Sequence, residues 1–238
     1  NKRNDSYHNI NSFFLELNFF DDIIFQESSS FKLSNQGISV PLDKTNLIYK
    51  AYSLLSTKYK INKKISIHLK KRIPLFSGLG GGSSNAAATL LILNKIWNLN
   101  LTNKKLEDIG SEIGSDVPFF INGGFQKING TGNILKQLKF PIKDNIFIVL
   151  IFPKIKISTR WAYEKINKSL EIIKKPSKFS ISLDELEWSL YKNDFEEVVI
   201  SAYPEIGKIK KDLIKAGAFF ASLSGSGSTV FGVYNDYD

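Results

Sequence analysis

Hydrophobic positions along this chain switch between two periods. From Ser12 to Phe19, the apolar residues Phe13, Leu15, Leu17 and Phe19 alternate with polar or mixed partners, and Ile65, Ile67 and Leu69 alternate within Lys64–Leu69. A period of two puts one set of side chains on one face, so both stretches are predicted strands. His68 falls on the face opposite that set and is assigned no role. Ile23 to Phe25 is a further short strand, reached through a turn at Asp21 and Asp22. That acidic pair is read as a solvated turn in preference to a metal site. From Thr45 to Lys60 the spacing becomes helical, with Leu47, Ile48, Ala51, Tyr52, Leu54 and Leu55 on one stripe. Helices are also predicted for Ser84–Trp97 and for the stretch from a Thr102 cap to Ile113.

Gly123, Gly124, Gly130 and Gly132 then punctuate short strands. Asn145 to Phe152 is a continuous apolar run, and the domain boundary is drawn just before it, giving domains of 1–143 and 144–238. A helix capped by Ser158 or Thr159 follows, then a connection over Ile173–Ser180 and a helix over Ser182–Tyr191. Asp194–Ser201 and Glu205–Lys215 are helices, the second ended by Ala216-Gly217. Phe219 to Val233 reads as strand, glycine turn and strand.

Composition narrows the classes. The 238 residues are 42% hydrophobic, enough for a large core. There is no Cys and only His8 and His68, so thiolate and multi-histidine metal sites are excluded. No apolar run approaches the roughly 18 residues of a membrane span, and no signal-peptide pattern opens the chain. The net charge of +9 rests on 29 Lys against three Arg, spread without a dense run. Arginine does most bidentate recognition of bases and phosphates, so nucleic acid is not the expected partner. The charge is read as the bias of an AT-rich genome, with some use in attracting phosphorylated substrates. The chain contains no Met, position 1 included, so residues are expected to be missing at both ends.

The chemistry centres on Leu75 to Leu91, L-F-S-G-L-G-G-G-S-S-N-A-A-A-T-L-L. Gly78, Gly80, Gly81 and Gly82 fall within five residues, and Ser83, Ser84 and Asn85 are good helix caps before an apolar run. A helix starting there aims free N–H groups and its positive dipole end at the loop, which makes an anion cradle. No Lys follows the last glycine, so this is not a P-loop, and Ser83 breaks the dinucleotide fingerprint. Lys71 just upstream is placed to meet phosphate charge, although surface exposure is the commoner use of such a lysine. A second candidate is G-S-D-V-P-F-F from Gly114 to Phe120, where Asp116 stands before an apolar wall that can shift its protonation. Two uses of Asp116 fit this segment, chemistry and capping of the following turn, and they are compatible.

The stretch P-x-x-x-G-L-G-G-G-S-S-N-A-A, from Pro74 to Ala87, resembles the phosphate loop of the GHMP small-molecule kinases. Its triple-glycine form is similar to the branch acting on a cytidine-diphosphate-linked methylerythritol in the non-mevalonate isoprenoid route. The resemblance implies a two-domain fold: an N-terminal α/β domain with a mixed sheet, a C-terminal ferredoxin-like α+β domain, and an active site in the cleft between them. It implies ATP with Mg²⁺ held by Asn46, Lys71, Pro74, Gly78, Leu79, Gly80, Gly81, Gly82, Ser83, Ser84 and Asn85, with Asp116 as catalytic base. A lysine partner is expected on a first strand upstream of residue 1. The opening K-R-N-D-S-Y-H matches a cytosine-binding segment, with Ser6 for the usual glycine. Tyr7 then offers a stacking face and His8 its ring nitrogens, whereas taken alone the segment is a surface turn. Thr159 and Tyr163 match the opposite face of the cytosine, with Trp161 a neighbouring candidate. The segment L-S-G-S-G-S-T, carrying Gly225, Ser226 and Gly227, is similar to the loop that closes over phosphates and substrate. The implied protein is a cytoplasmic or plastid enzyme, a monomer or weak homodimer, without nucleic-acid or membrane partners. The alternatives are a homoserine- or mevalonate-type kinase, or a non-catalytic nucleotide- or RNA-binding protein.

Overall fold

The computed structural model describes residues 9–140, 146–170, 188 and 191–235. They divide into two compact units. One holds the described residues up to Leu75 and from Gly80 to Lys139; the other holds Phe76–Leu79 and the described residues from Phe140 onward.

In the first unit, β1 (Ile10–Leu15) pairs antiparallel with β5 (Phe125–Gly130), which pairs with β6 (Ile134–Leu138). A second sheet is mixed. Its centre is β4 (Lys64–Lys71), antiparallel to β2 (Asp22–Ser28) and parallel to β3 (Lys32–Gly37). The expected alternation in β4 is what buries Ile65, Ile67 and Leu69, each at most 1% exposed. Against them lie α1 (Leu47–Lys58) and α2 (Gly81–Ile96), through Ile48, Ala51 and Leu55 of the first and Ala86, Ala87, Leu90 and Leu93 of the second. Each fully buried Leu or Ile among them stabilises the fold by about 1.5–3 kcal/mol. Helix α3 (Asn103–Ser111) starts at Thr102, whose hydroxyl accepts the N–H of Lys105 at 3.2 Å, as its sequence signal predicts. Helix α4 (Val117–Asn122) completes the unit.

Strand β1 stops at Leu15, although alternation continues to Phe19. The partner strand β5 begins only at Phe125, and the residue before it, Gly124, donates its N–H to the Glu16 carboxylate at 2.8 Å. The β1–β5 register therefore ends at Leu15 opposite Phe125, with one further backbone bond from the Glu16 N–H to the Gly124 carbonyl at 2.8 Å.

The second unit is an antiparallel sheet in the order β7 (Phe147–Ile151), β9 (Val230–Tyr234), β8 (Phe220–Leu223). Helices α5 (Thr159–Leu170), α6 (Phe195–Ala202) and α7 (Pro204–Lys215) belong to the same unit. Ile157, Ala162, Val199, Ile206, Leu213, Leu223 and Val230 form its core. The helix expected over Ser182–Tyr191 lies almost wholly outside the described residues, as does the connection over Ile173–Ser180. No helix among the described residues is long and apolar enough to cross a membrane.

Candidate active site

The glycine loop leads straight into α2, but its caps are not the expected ones. Gly80 takes the cap position in a left-handed conformation (φ 64°), and Ser83, Ser84 and Asn85 lie in the first turns of the helix. The first helical bond runs from the N–H of Ser84 to the carbonyl of Gly80 at 2.9 Å. The N–H groups of Gly81, Gly82 and Ser83 thus have no acceptor within the helix and project at its positive end. Gly80 adopts its left-handed conformation without a Cβ penalty, and a Cβ there would stand 2.8 Å from the Phe120 ring, which would have to shift. Asn85 is buried, and its carbonyl accepts the Thr89 hydroxyl at 2.7 Å.

Beneath this helix start lies a feature the sequence reading missed. Asp21, expected in a solvated turn, has a side chain that is fully buried and ion-paired to Lys71, itself 2% exposed. The second carboxylate oxygen of Asp21 accepts the N–H groups of Arg72 at 2.7 Å and Ile73 at 2.8 Å. Burial alone would raise the Asp21 pKa; the Lys71 ammonium and the two N–H donors outweigh it and hold the carboxyl below the usual carboxylate range. Lys71 is therefore neither an exposed lysine nor an uncommitted phosphate contact. A Cβ on Gly81 would stand 3.0 Å from its Nζ, so the pair sits directly under the first residue of α2. Asp22 stays outside, where its carboxylate accepts from the Arg72 guanidinium at 2.7 Å. No group of three or more His, Asp or Glu side chains among the described residues is arranged to hold a metal ion.

Asp116 belongs to the same unit. It occupies the position before α4 but makes no side-chain capping bond; its carboxylate accepts the Ser115 hydroxyl at 3.2 Å instead. Burial pushes its pKa up, and the Ser115 hydrogen bond offsets only part of this. The flanking residues fix its neighbourhood. Gly114 faces Ser83 in the first turn of α2, and Phe120 is the ring against Gly80. Asn46 caps α1, with Oδ1 accepting the Ile48 N–H at 2.9 Å and Nδ2 donating to the Pro41 carbonyl at 2.6 Å. Leu47 beside it packs against Gly82. The first unit thus brings Asn46, Lys71, Gly80–Asn85 and Asp116 into one neighbourhood.

In the second unit, Phe76–Leu79 is held by the S-G-S-G turn. Ser228 and Thr229 donate backbone N–H groups to the carbonyls of Phe76 at 3.2 Å and Ser77 at 3.1 Å. The Ser224 hydroxyl donates to the Gly78 carbonyl at 2.9 Å. The hydroxyls of Ser226 and Thr159 are hydrogen-bonded at 3.1 Å, so the turn also meets the start of α5. Tyr163 on that helix stands edge-on to Phe195, centroids 4.9 Å apart, and Trp161 packs against Tyr203. Tyr7 and His8 lie outside the described residues. Two further residues were missed. Asn193 donates to the carbonyls of Leu223 and Gly225, and Glu196 accepts from Ser222 and the Leu223 N–H. Neither stands in a motif, and the nearest available signal was the Asn-Asp pair before an apolar helix.

A glycine-rich turn feeding a helix N-terminus, beside an aspartate whose pKa burial raises, has the chemistry to receive a phosphate. A family model for the GHMP kinases N terminal domain matches residues 46–124, and one for the GHMP kinases C terminal matches 170–238. The chain belongs to the GHMP kinases, enzymes that phosphorylate small molecules with ATP. Its relatives are more particular. The 4-diphosphocytidyl-2-C-methyl-D-erythritol kinase of Thermodesulfovibrio yellowstonii is 41% identical, over 99% of this chain and 84% of that one. The enzyme of the same name from Caldanaerobacter subterraneus is 39% identical, over 100% and 83%. A crystal structure of a 4-(cytidine 5'-diphospho)-2C-methyl-D-erythritol kinase superposes with a TM-score of 0.78 at 29% identity, covering 97% of this chain and 83% of the other. Homoserine kinase from Cytophaga hutchinsonii, at 21% identity and a TM-score of 0.70, shares the fold.

Proposed function

We propose that this kinase transfers the γ-phosphate of ATP to the C2 hydroxyl of 4-diphosphocytidyl-2-C-methyl-D-erythritol, a step toward isoprenoid precursors. The carrying observation is the helix start at Gly81–Ser83, whose N–H groups have no acceptor within the helix, beside half-buried Asp116. Phosphoryl transfer needs positioning and charge stabilisation more than covalent help, and those N–H groups supply both to phosphate oxygens. The Asp116 carboxylate takes the proton of the attacking hydroxyl as its oxygen bonds to the γ-phosphorus. The bond from that phosphorus to the bridging oxygen breaks, and ADP leaves. Burial raises the basicity of Asp116, which suits it to this proton.

Asn46, Pro74, Gly78, Leu79 and Gly80–Asn85 line the nucleotide site, with Lys71 supporting it from below. Mg²⁺ bound to ATP would supply further neutralisation of phosphate charge. Tyr7, His8, Thr159 and Tyr163 hold the cytidine, and Gly225–Gly227 the substrate beside the phosphates. The two domains run over 1–143 and 144–238, and the enzyme works in the cytoplasm or a plastid stroma. The test is ADP release from ATP, Mg²⁺ and the diphosphocytidyl substrate, with homoserine and mevalonate as controls. Turnover confined to the diphosphocytidyl substrate and abolished by Asp116→Asn supports the reading. Turnover with either control instead would refute it.

A further inference from the structure

We infer that Asn193 is a positioning residue for phosphoryl transfer, setting the S-G-S-G turn that holds Gly78; this rests on the kinase reading above. Its amide is fully committed. Nδ2 donates to the carbonyls of Leu223 and Gly225, both at 2.8 Å, and Oδ1 accepts the N–H of Phe195 at 2.9 Å. The two halves of this amide serve two different places.

The donor half fixes the entry to the turn. Leu223 ends β8 and Gly225 opens the glycine pair, so one NH₂ group spans Ser224. Glu196 reinforces the same point from α6, accepting the Leu223 N–H at 2.9 Å and the Ser222 hydroxyl at 2.8 Å. Ser224 is thereby held at both neighbours, and its hydroxyl reaches the Gly78 carbonyl. Gly78 has φ 75°, and a Cβ there would meet the Gly227 carbonyl oxygen at 2.9 Å. The backbone of the phosphate loop at Gly78 is thus set by a turn whose own position depends on Asn193.

The acceptor half serves the other side. It holds the N–H of Phe195, whose ring stands edge-on to Tyr163. Asp in place of Asn keeps this acceptor and loses both donors, putting carboxylate oxygen against two carbonyls. Ala loses both halves. The two substitutions therefore separate the donor half of this side chain from its acceptor half.

The experiment compares the full chain with Asn193→Asp, Asn193→Ala and Ser224→Ala. It reads kcat, both KM values, the Kd for ADP and the unfolding midpoint. Asn193→Asp is expected to lower kcat on the order of tenfold and to weaken ADP in proportion, because sub-ångström misplacement of catalytic groups has effects of this size. Its KM for the diphosphocytidyl substrate stays at the wild-type value. Asn193→Ala raises that KM as well. Ser224→Ala, which leaves Asn193 and its contacts intact, reproduces the ADP and kcat defect and keeps the inference testable should either Asn193 variant fail to fold. Wild-type kcat and ADP affinity in Asn193→Asp, or in Ser224→Ala, overturn the inference. An equal loss in every parameter that tracks the folded fraction also overturns it. If the wild-type chain binds ADP but does not turn over the diphosphocytidyl substrate, the proposed function fails separately. The ADP affinities of the variants then decide the inference alone.

Discussion

Replacing Asp21 by Asn tests whether the phosphate loop is built on a buried ion pair. The change keeps the side-chain shape and the oxygen that accepts the Arg72 and Ile73 N–H groups. It removes the negative charge facing Lys71, whose ammonium then remains buried without its counter-ion. Removing one partner of a buried pair costs about 3–5 kcal/mol, far above the 0–1 kcal/mol of a surface pair. For a chain of this size each kcal/mol shifts the midpoint by about 2–4 °C, so the variant should melt roughly 6–20 °C lower. Urea unfolding at pH 7 gives the free-energy difference, and the ADP Kd shows whether Gly81 has moved with Lys71. The pH dependence has a definite sign. The folded pKa of Asp21 lies below the ordinary aspartate value of 3.8, so its stabilisation is present above that value and is lost as pH falls through the lower folded one. Wild-type stability should therefore decline below about pH 4, more steeply than that of the variant. A loss under about 1 kcal/mol at pH 7 would refute the reasoning, since only a hydrated pair is so cheap to break.

Two further outcomes follow from single contacts. Asp116→Asn should abolish turnover while leaving the melting temperature unchanged or higher, because burial disfavours the carboxylate charge that it removes; kcat/KM of the wild type should rise with pH along an acid limb above 3.8. Thr102→Ala removes the cap of α3 and should cost about 1 kcal/mol in urea unfolding with no change in KM for ATP. A kinetic effect there would mean that α3 is coupled to the site.

What was legible in the sequence is what one element decides by itself. The period of two in Ile65, Ile67 and Leu69 buries that face wherever β4 sits, and the Thr102 signal acts within four residues. The glycine loop was legible for the same reason, since its composition permits few other uses. The start of α2 was not. Ser83, Ser84 and Asn85 are all competent caps, yet the helix begins at Gly81, after a left-handed Gly80 packed against the ring of Phe120. Asp21 and Lys71 meet because the turn before β2 lies at the end of β4, a matter of sheet register. Nothing local marks one aspartate of the Asp21-Asp22 pair as buried and its neighbour as exposed. The hold of Asn193 on the turn is likewise visible only through partners about 30 residues away.

The same distinction separates two glycines that look equivalent in the loop. Gly78 and Gly80 both have positive φ, 75° and 64°, so alanine at either carries a left-handed penalty of about 1–2 kcal/mol. Their surroundings then diverge. A Cβ at 78 runs into the backbone carbonyl oxygens of Ser224 and Gly227, which are held in a hydrogen-bonded turn and cannot rotate away. A Cβ at 80 meets the side chain of Phe120, which can give. Gly78→Ala should therefore be the more destabilising, and no single side-chain substitution should rescue it. Gly80→Ala should be partly rescued by Phe120→Leu. In a double-mutant cycle by urea unfolding, the Gly80–Phe120 coupling should exceed the roughly 0.5 kcal/mol within which independent sites add. An additive cycle would mean that backbone conformation alone, and not the ring, requires glycine at position 80.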